Sequence, residues 1–167
     1  MNLTNVHYEM LMNAPAEKVW DVVRRYGDVA QFHAGVEKTT SVNDSPVEAQ
    51  LGADRVCDIH DMGMHIVLKE KIIDYKEGKS YRYEVYETKN FPVQALFFEF
   101  SLRKHDEKST YLRLDIDYKG KPAFITPFLK PKMQKLTRDV LLGYKEHIET
   151  GSQNVPIKEL RKKYKSA

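Results

Sequence analysis

The sequence predicts an α+β fold in which a curved antiparallel sheet of about seven strands closes around one long helix near the C-terminal end. Three observations lead there. Residues 132–150, KMQKLTRDVLLGYKEHIET, place Met133, Leu136, Val140, Gly143, Tyr144, His147 and Ile148 on one face of a helical wheel. Lys135, Arg138, Asp139, Lys145, Glu146 and Glu149 fall on the other. Most of the chain before it alternates apolar and polar residues with the period of two that marks half-buried strands. The connections between those runs are short and turn-rich, which favours antiparallel neighbours over crossovers. At 1.5 Å rise per residue the helix spans roughly 30 Å, so whatever covers its apolar face must be nearly as long.

Residues 6–12 form a first strand, stopped by Asn13-Ala14-Pro15, where Asn13 is suited to cap and Pro15 to open a helix. Val19, Trp20, Val23 and Tyr26 recur at helical spacing, and Gly27 ends that helix. A second short helix fits 28–33, with Val29 and Phe32 on one side. Strand patterns follow at 36–42, 54–61 and 64–75, the last two joined by a two-residue tip at Met62-Gly63. That register sets Asp61 opposite Met64 and His60 opposite His65, and puts Cys57, Ile59, Met64, Ile66, Leu68 and Ile72 on the apolar side with Glu70 among them. Tyr81, Tyr83 and Val85 alternate in the next strand, then Leu96, Phe98, Phe100 and Leu102, then Leu112, Leu114 and Ile116. Thr126-Pro127 suits a helix start, but Pro131 removes a backbone donor one turn later, which predicts a kink or a fresh start there. Gly151 closes the long helix, giving a domain over 1–151 and a basic tail over 152–167 with Ile157, Leu160 and Tyr164 at helical spacing. We expect those three to fold back over Leu142, which points away from the main stripe.

Composition narrows the function classes. With 27 Lys and Arg against 24 Asp and Glu, the net charge of +3 is too small, and too concentrated in the tail, to predict nucleic-acid binding. One cysteine, Cys57, excludes an internal disulfide. No run of about 18 apolar residues and no basic-then-apolar leader occurs, so a cytoplasmic protein is expected.

The segment Ala14-Pro15-Ala16-Glu17-Lys18-Val19-Trp20-Asp21-Val22-Val23, followed in order by Val36-Glu37, Arg55, the turn at Gly63, Glu70-Lys71-Ile72-Ile73-Asp74 and Tyr81-Arg82-Tyr83, resembles the polyketide cyclase and dehydrase-like branch of the START-related superfamily, often called SRPBCC. The likeness covers residues 3–150. It implies a helix-grip fold, a strongly curved seven-stranded sheet wrapped around the last helix with a hydrophobic cavity between them. Members of the superfamily bind lipids, sterols, quinones, plant hormones or polyketides, and a minority are enzymes. The sequence departs from the pollen-allergen branch in lacking its glycine-rich loop, and no catalytic signature accompanies Pro92-Val93.

Against that background the candidate cavity wall comprises Ile66, Leu68, Tyr83, Phe98 and Leu114 from the strands, and Met133, Val140, Gly143 and Tyr144 from the helix. Phe124 and Phe128, near the helix entrance, are the candidate gate. Gly143 costs about 1 kcal/mol of helix propensity, so either a ligand or a closely approaching backbone should occupy the space it leaves. Glu70 needs a partner or a raised pKa if it points inward. It either orients a polar ligand group, or acts as a general acid or base with a protonatable neighbour such as Tyr83 in reach, or serves a structural ion pair with Arg82 or Arg113, or turns to solvent at an edge or bulge. His60 and His65 with Asp58 would make a ligand set, but no standard zinc spacing is present and the register puts both rings on the solvent side; neither metal nor cofactor is expected. The leading expectation is binding of a hydrophobic small molecule such as a lipid, quinone or polyketide-like aromatic. A cyclase or dehydratase using Glu70, Tyr83 and Tyr144, or an interaction protein with a filled groove, are the alternatives. The tail KELRKKYKSA is suited to transient contact with an anionic membrane surface.

Overall fold

A computed structural model describes residues 2–33, 35–61 and 63–167. One seven-stranded antiparallel sheet holds β1 (Thr4–Met12), β2 (Val36–Ser41), β3 (Asp54–Asp61), β4 (Met64–Lys76), β5 (Ser80–Lys89), β6 (Val93–Lys104) and β7 (Thr110–Gly120) in the spatial order β1-β7-β6-β5-β4-β3-β2. The pairing Asp61↔Met64 and His60↔His65 is the expected one, although Met62 of the expected tip lies outside the described residues. Alternation is nearly strict in β7, where Leu112, Leu114, Ile116 and Tyr118 are buried and the residues between them are not. Register shifts interrupt the pairing at Val36/Lys38, Lys69/Glu70, Ile72/Asp74 and Val93/Ala95. Such bulges bend a strand and raise its twist, which is how a sheet of this length curls around a helix.

Helix α1 (Ala16–Val23) and a 3-10 segment at Tyr26–Gln31 connect β1 to β2. Asn13 does not cap α1. Pro15 holds that position, and its carbonyl accepts from the amides of Lys18 and Val19, while the Asn13 amide donates to Glu149 instead. The long helix α2 (Thr126–Thr150) contains Pro131 in its interior rather than starting afresh there. A Cβ on Gly120 would stand 2.7 Å from Ile125 and 3.0 Å from the Thr126 amide, so glycine is what allows β7 to end directly against the start of α2. At the other end Gly151 adopts a left-handed conformation and its amide donates to the His147 carbonyl, closing the helix as expected.

The tail forms α3 (Ile157–Lys163), which packs on α2 with Leu160 1% exposed, while Leu142 is fully buried. One expectation is corrected by this arrangement. Lys145 and Glu146, assigned to the outer face of α2, are buried because β1 and the returning tail cover that side. Their charges are partnered: Lys145 donates to the Leu11 carbonyl and to Glu149, and Glu146 accepts from Lys163 and Tyr164. Among the described residues no helix is long and apolar enough to cross a membrane.

Candidate ligand-binding site

Cross-strand pairing of β3 with β4 sets Arg55 directly opposite Glu70, and alternation turns both toward α2. Each is 3% exposed, and Arg55 Nε donates to Glu70 Oε2 at 2.6 Å. Taking two charges out of water is costly unless the geometry is good and the remaining donors are used. Here a second guanidinium nitrogen donates to the Tyr26 carbonyl. The guanidinium carbon sits 3.7 Å from the centre of the Tyr26 ring and 4.9 Å from that of Tyr83, a cation held between aromatic faces. The Cys57 thiol donates to the same carboxylate oxygen at 3.7 Å.

Aromatic side chains link this polar centre to α2. Tyr83 stacks on Phe98 with centroids 5.1 Å apart, and Tyr144 meets Phe100 at 5.0 Å and Phe32 at 4.9 Å. The Tyr81 hydroxyl donates to the Val23 carbonyl. Among the described residues the buried Tyr26 hydroxyl has no hydrogen-bond partner. Such an orphan costs about 1–3 kcal/mol.

The protonation states follow from burial. Desolvation pushes the phenols of Tyr83 and Tyr144 well above their ordinary range, reinforced by Glu70 for Tyr83 and by Tyr81 for Tyr144. Tyr26 is raised for the same first reason, against the opposing charge of Arg55. Burial pushes the Cys57 thiol up to about 12, so near neutral pH it is a thiol and not a nucleophile. These phenols are therefore hydrogen-bond donors rather than bases.

The structure brings eight of the expected wall residues into one core: Ile66, Leu68, Tyr83 and Phe98 line it with Leu114, and Met133, Val140 and Tyr144 face them from α2. Glu70 joins them, but its partner is Arg55. Arg82 and Arg113 lie on the opposite face of the sheet, donating to Asp117 and Asp115. One other expectation is corrected. Phe124 and Phe128 are 74% and 79% exposed and line no interior wall; Phe124 lies in the 3-10 turn Ala123–Ile125 that joins β7 to α2, and Phe128 in the first turn of α2. Gly143 borders a small crevice with Phe32, Glu146, Asn154, Val155 and Leu160. A concavity of about 410 Å3 lies outside the grip, among Tyr8, Pro131, Gln134, Lys135, Arg138, Asp139 and Arg161. His60 and His65 stack at 5.1 Å, each against its own carboxylate, Glu37 and Asp58 respectively.

A sequence profile of the family described as polyketide cyclase / dehydrase and lipid transport matches residues 4–149. The chain belongs to that family. No curated protein matches the sequence. Among solved structures, the family fold recurs in a START superfamily protein from Mycobacterium smegmatis, 16% identical, with a TM-score of 0.68 over 90% of this chain and 100% of that one. Ginseng major latex-like protein 151 from Panax ginseng is 15% identical, with a TM-score of 0.69 over 89% and 97%. The Zhui aromatase/cyclase from Streptomyces sp. R1128 is 13% identical, with a TM-score of 0.68 over 99% and 98%. At these identities the likeness is one of fold. This member of the polyketide cyclase / dehydrase and lipid transport family thus has the helix-grip architecture, with a charged pair and four tyrosines, Tyr26, Tyr81, Tyr83 and Tyr144, between sheet and helix.

Sequence reasoning missed Tyr26 and underused Arg55. The signal for Arg55 was present: the register that sets His60 opposite His65 sets Arg55 opposite Glu70 five residues further back. Tyr26 belongs to a 3-10 segment whose facing depends on how it docks, which periodicity does not encode.

Proposed function

We propose that the protein binds an amphipathic small molecule between sheet and α2, its polar end at Arg55, Glu70 and Tyr26 and its apolar part along Ile66, Leu68 and Phe98. The observation that carries this reading is the Tyr26 hydroxyl, a buried donor with no acceptor among the described residues, beside a buried ion pair. An acceptor on a ligand would remove that penalty. Along β4 the side chains that face inward between the hairpin tip and Glu70 are Ile66 and Leu68, so at about 3.3 Å per residue roughly 20 Å of strand separates the polar centre from that end. That length suits a lipid, a quinone or a polyketide-like chain.

Binding without chemistry is favoured over a cyclase or dehydratase role for Glu70, Tyr83 and Tyr144, because the carboxylate that would have to move a proton is committed to Arg55. A second reading, that the groove is filled by its own side chains, draws on the closeness of Phe100 to Tyr144 and of Tyr83 to Phe98. Native mass spectrometry with solvent extraction of the purified protein separates the readings. A stoichiometric amphiphile whose retention falls in Tyr26→Phe supports carriage, conversion of that molecule lost in Glu70→Gln supports enzymology, and a protein that carries and takes up nothing supports the filled groove.

A further inference from the structure

Phe124 and Phe128 have the highest exposure of any large apolar side chains among the described residues, and they flank the start of α2, Phe124 in the 3-10 turn before it and Phe128 in its first turn. The chain around them is strongly cationic. From Lys119 to Arg138 it holds Lys119, Lys121, Lys130, Lys132, Lys135 and Arg138 and no carboxylate, a segment more positive than the whole chain at +3. Among the described residues only Lys132 of these forms an ion pair, with Asp61. The two phenyl rings protrude: the concavity nearby is bordered by Pro131 and Lys135 but by neither ring.

We propose that this end of the molecule docks on the surface of an anionic phospholipid bilayer, with Phe124 and Phe128 in the headgroup and acyl boundary and Lys121, Lys130 and Lys135 against lipid phosphates. Protruding aromatics within a field of lysines fit a surface that yields around them, with hydrophobic insertion and electrostatic attraction acting together. Contact through the basic tail is the weaker arrangement. Arg161 and Lys163 are paired with Asp139 and Glu146, and Leu160 and Tyr164 are turned onto α2. The docking end is also where the interior would be entered. Lys132 reaches Asp61 at the β3–β4 hairpin, and the Lys121 amide donates to the Pro92 carbonyl in the β5–β6 connection. The apolar stretch of β4 therefore runs from this end toward Glu70. The inference goes beyond the ligand reading, since it stands on the surface alone.

The test is flotation of the full chain with vesicles of phosphatidylcholine, with and without phosphatidylglycerol. Binding should be stronger to the anionic vesicles by roughly tenfold or more and should fall as salt is raised. Both Phe124→Ser/Phe128→Ser and Lys121→Glu/Lys130→Glu/Lys135→Glu should abolish most of it while leaving the circular dichroism spectrum and melting curve unchanged, because all five side chains are exposed. Lys158→Glu/Lys162→Glu/Lys165→Glu in the tail should bind within about twofold of the parent. Absence of binding to anionic vesicles, binding indifferent to the two phenylalanines, or loss caused by the tail variant each overturns the proposal. So does a dimer in light scattering that the phenylalanine variant splits, which would assign the patch to a second copy. A protein that carries an amphiphile but never floats refutes the docking and leaves the ligand reading standing; the converse result refutes the ligand reading alone.

Discussion

Arg55 and Glu70 form the most consequential residue pair in the molecule, and their energetics are asymmetric. Arg55→Met leaves an uncompensated buried carboxylate and should destabilise by about 3–5 kcal/mol in urea unfolding, whereas Arg55→Met/Glu70→Leu should cost clearly less than the single change. A single variant within 1 kcal/mol of the parent would mean that the pair does not share a desolvated site. Tyr26→Phe tests the neighbouring hydroxyl in the opposite direction. Removing a donor that has no acceptor should leave the ligand-free protein equally stable or up to about 1–2 kcal/mol more stable. His33 provides a pH signature. Burial, with the charge of Arg55 adding, lowers its imidazole from 6.5 to about 4, and the Gly35 amide donates to its Nδ1. Because the folded value lies below the unfolded one, the unfolded chain takes up the proton first as pH falls. Its contribution is complete above about pH 6.5 and is lost progressively toward pH 4, so the melting temperature of the parent should drop more over that window than that of His33→Gln. The inward position of Glu70 was legible from alternation, and so was Arg55's, through the register. The choice of Arg82 or Arg113 as partner failed because each lies between inward residues of its own strand, Tyr81 and Tyr83 or Leu112 and Leu114, and so points away from the helix, to Asp117 and Asp115.

At the scale of elements, the strands and the long helix were readable because their signals are local. A period of two in β7 or the stripe through Met133, Val140 and Tyr144 needs only the neighbouring residues to be recognised. What covers the remaining surface of α2 was not readable, since a helical wheel knows nothing of a chain that returns after Gly151. Polar residues on a helix read as solvated until a partner is known to supply hydrogen bonds, as Lys163 and Tyr164 do for Glu146. Burial alone would raise that carboxyl, yet these bonds outweigh it and hold the group below its usual range. Truncation after Gly151 removes Leu160 from its seat and uncovers the Gly143 crevice. With about 2–3 kcal/mol lost for one buried leucine and its surroundings, the melting temperature should fall by about 5–10 °C. An unchanged melting curve would show that α3 rests on the domain without stabilising it.

For the whole molecule, the grip places its apolar contents between a bulged sheet and a helix covered on the far side by α3, which leaves the Phe124 end as the side without a second layer. If an extracted amphiphile is the natural occupant, adding it back at about 100 times its Kd should stabilise the protein by about 2.7 kcal/mol. The strand order carries a further consequence for how such a chain comes to exist. The first strand made, β1, pairs only with β7, and its Thr4 waits for Tyr118. The native partner of β1 therefore lies at the far end of the meander. The meander from β2 to β7 can assemble hairpin by hairpin, and the closing of β1 against β7 is a contact of large sequence separation, the kind that sets a slow folding rate. Of the seven strands, the first in sequence is the one that joins the last.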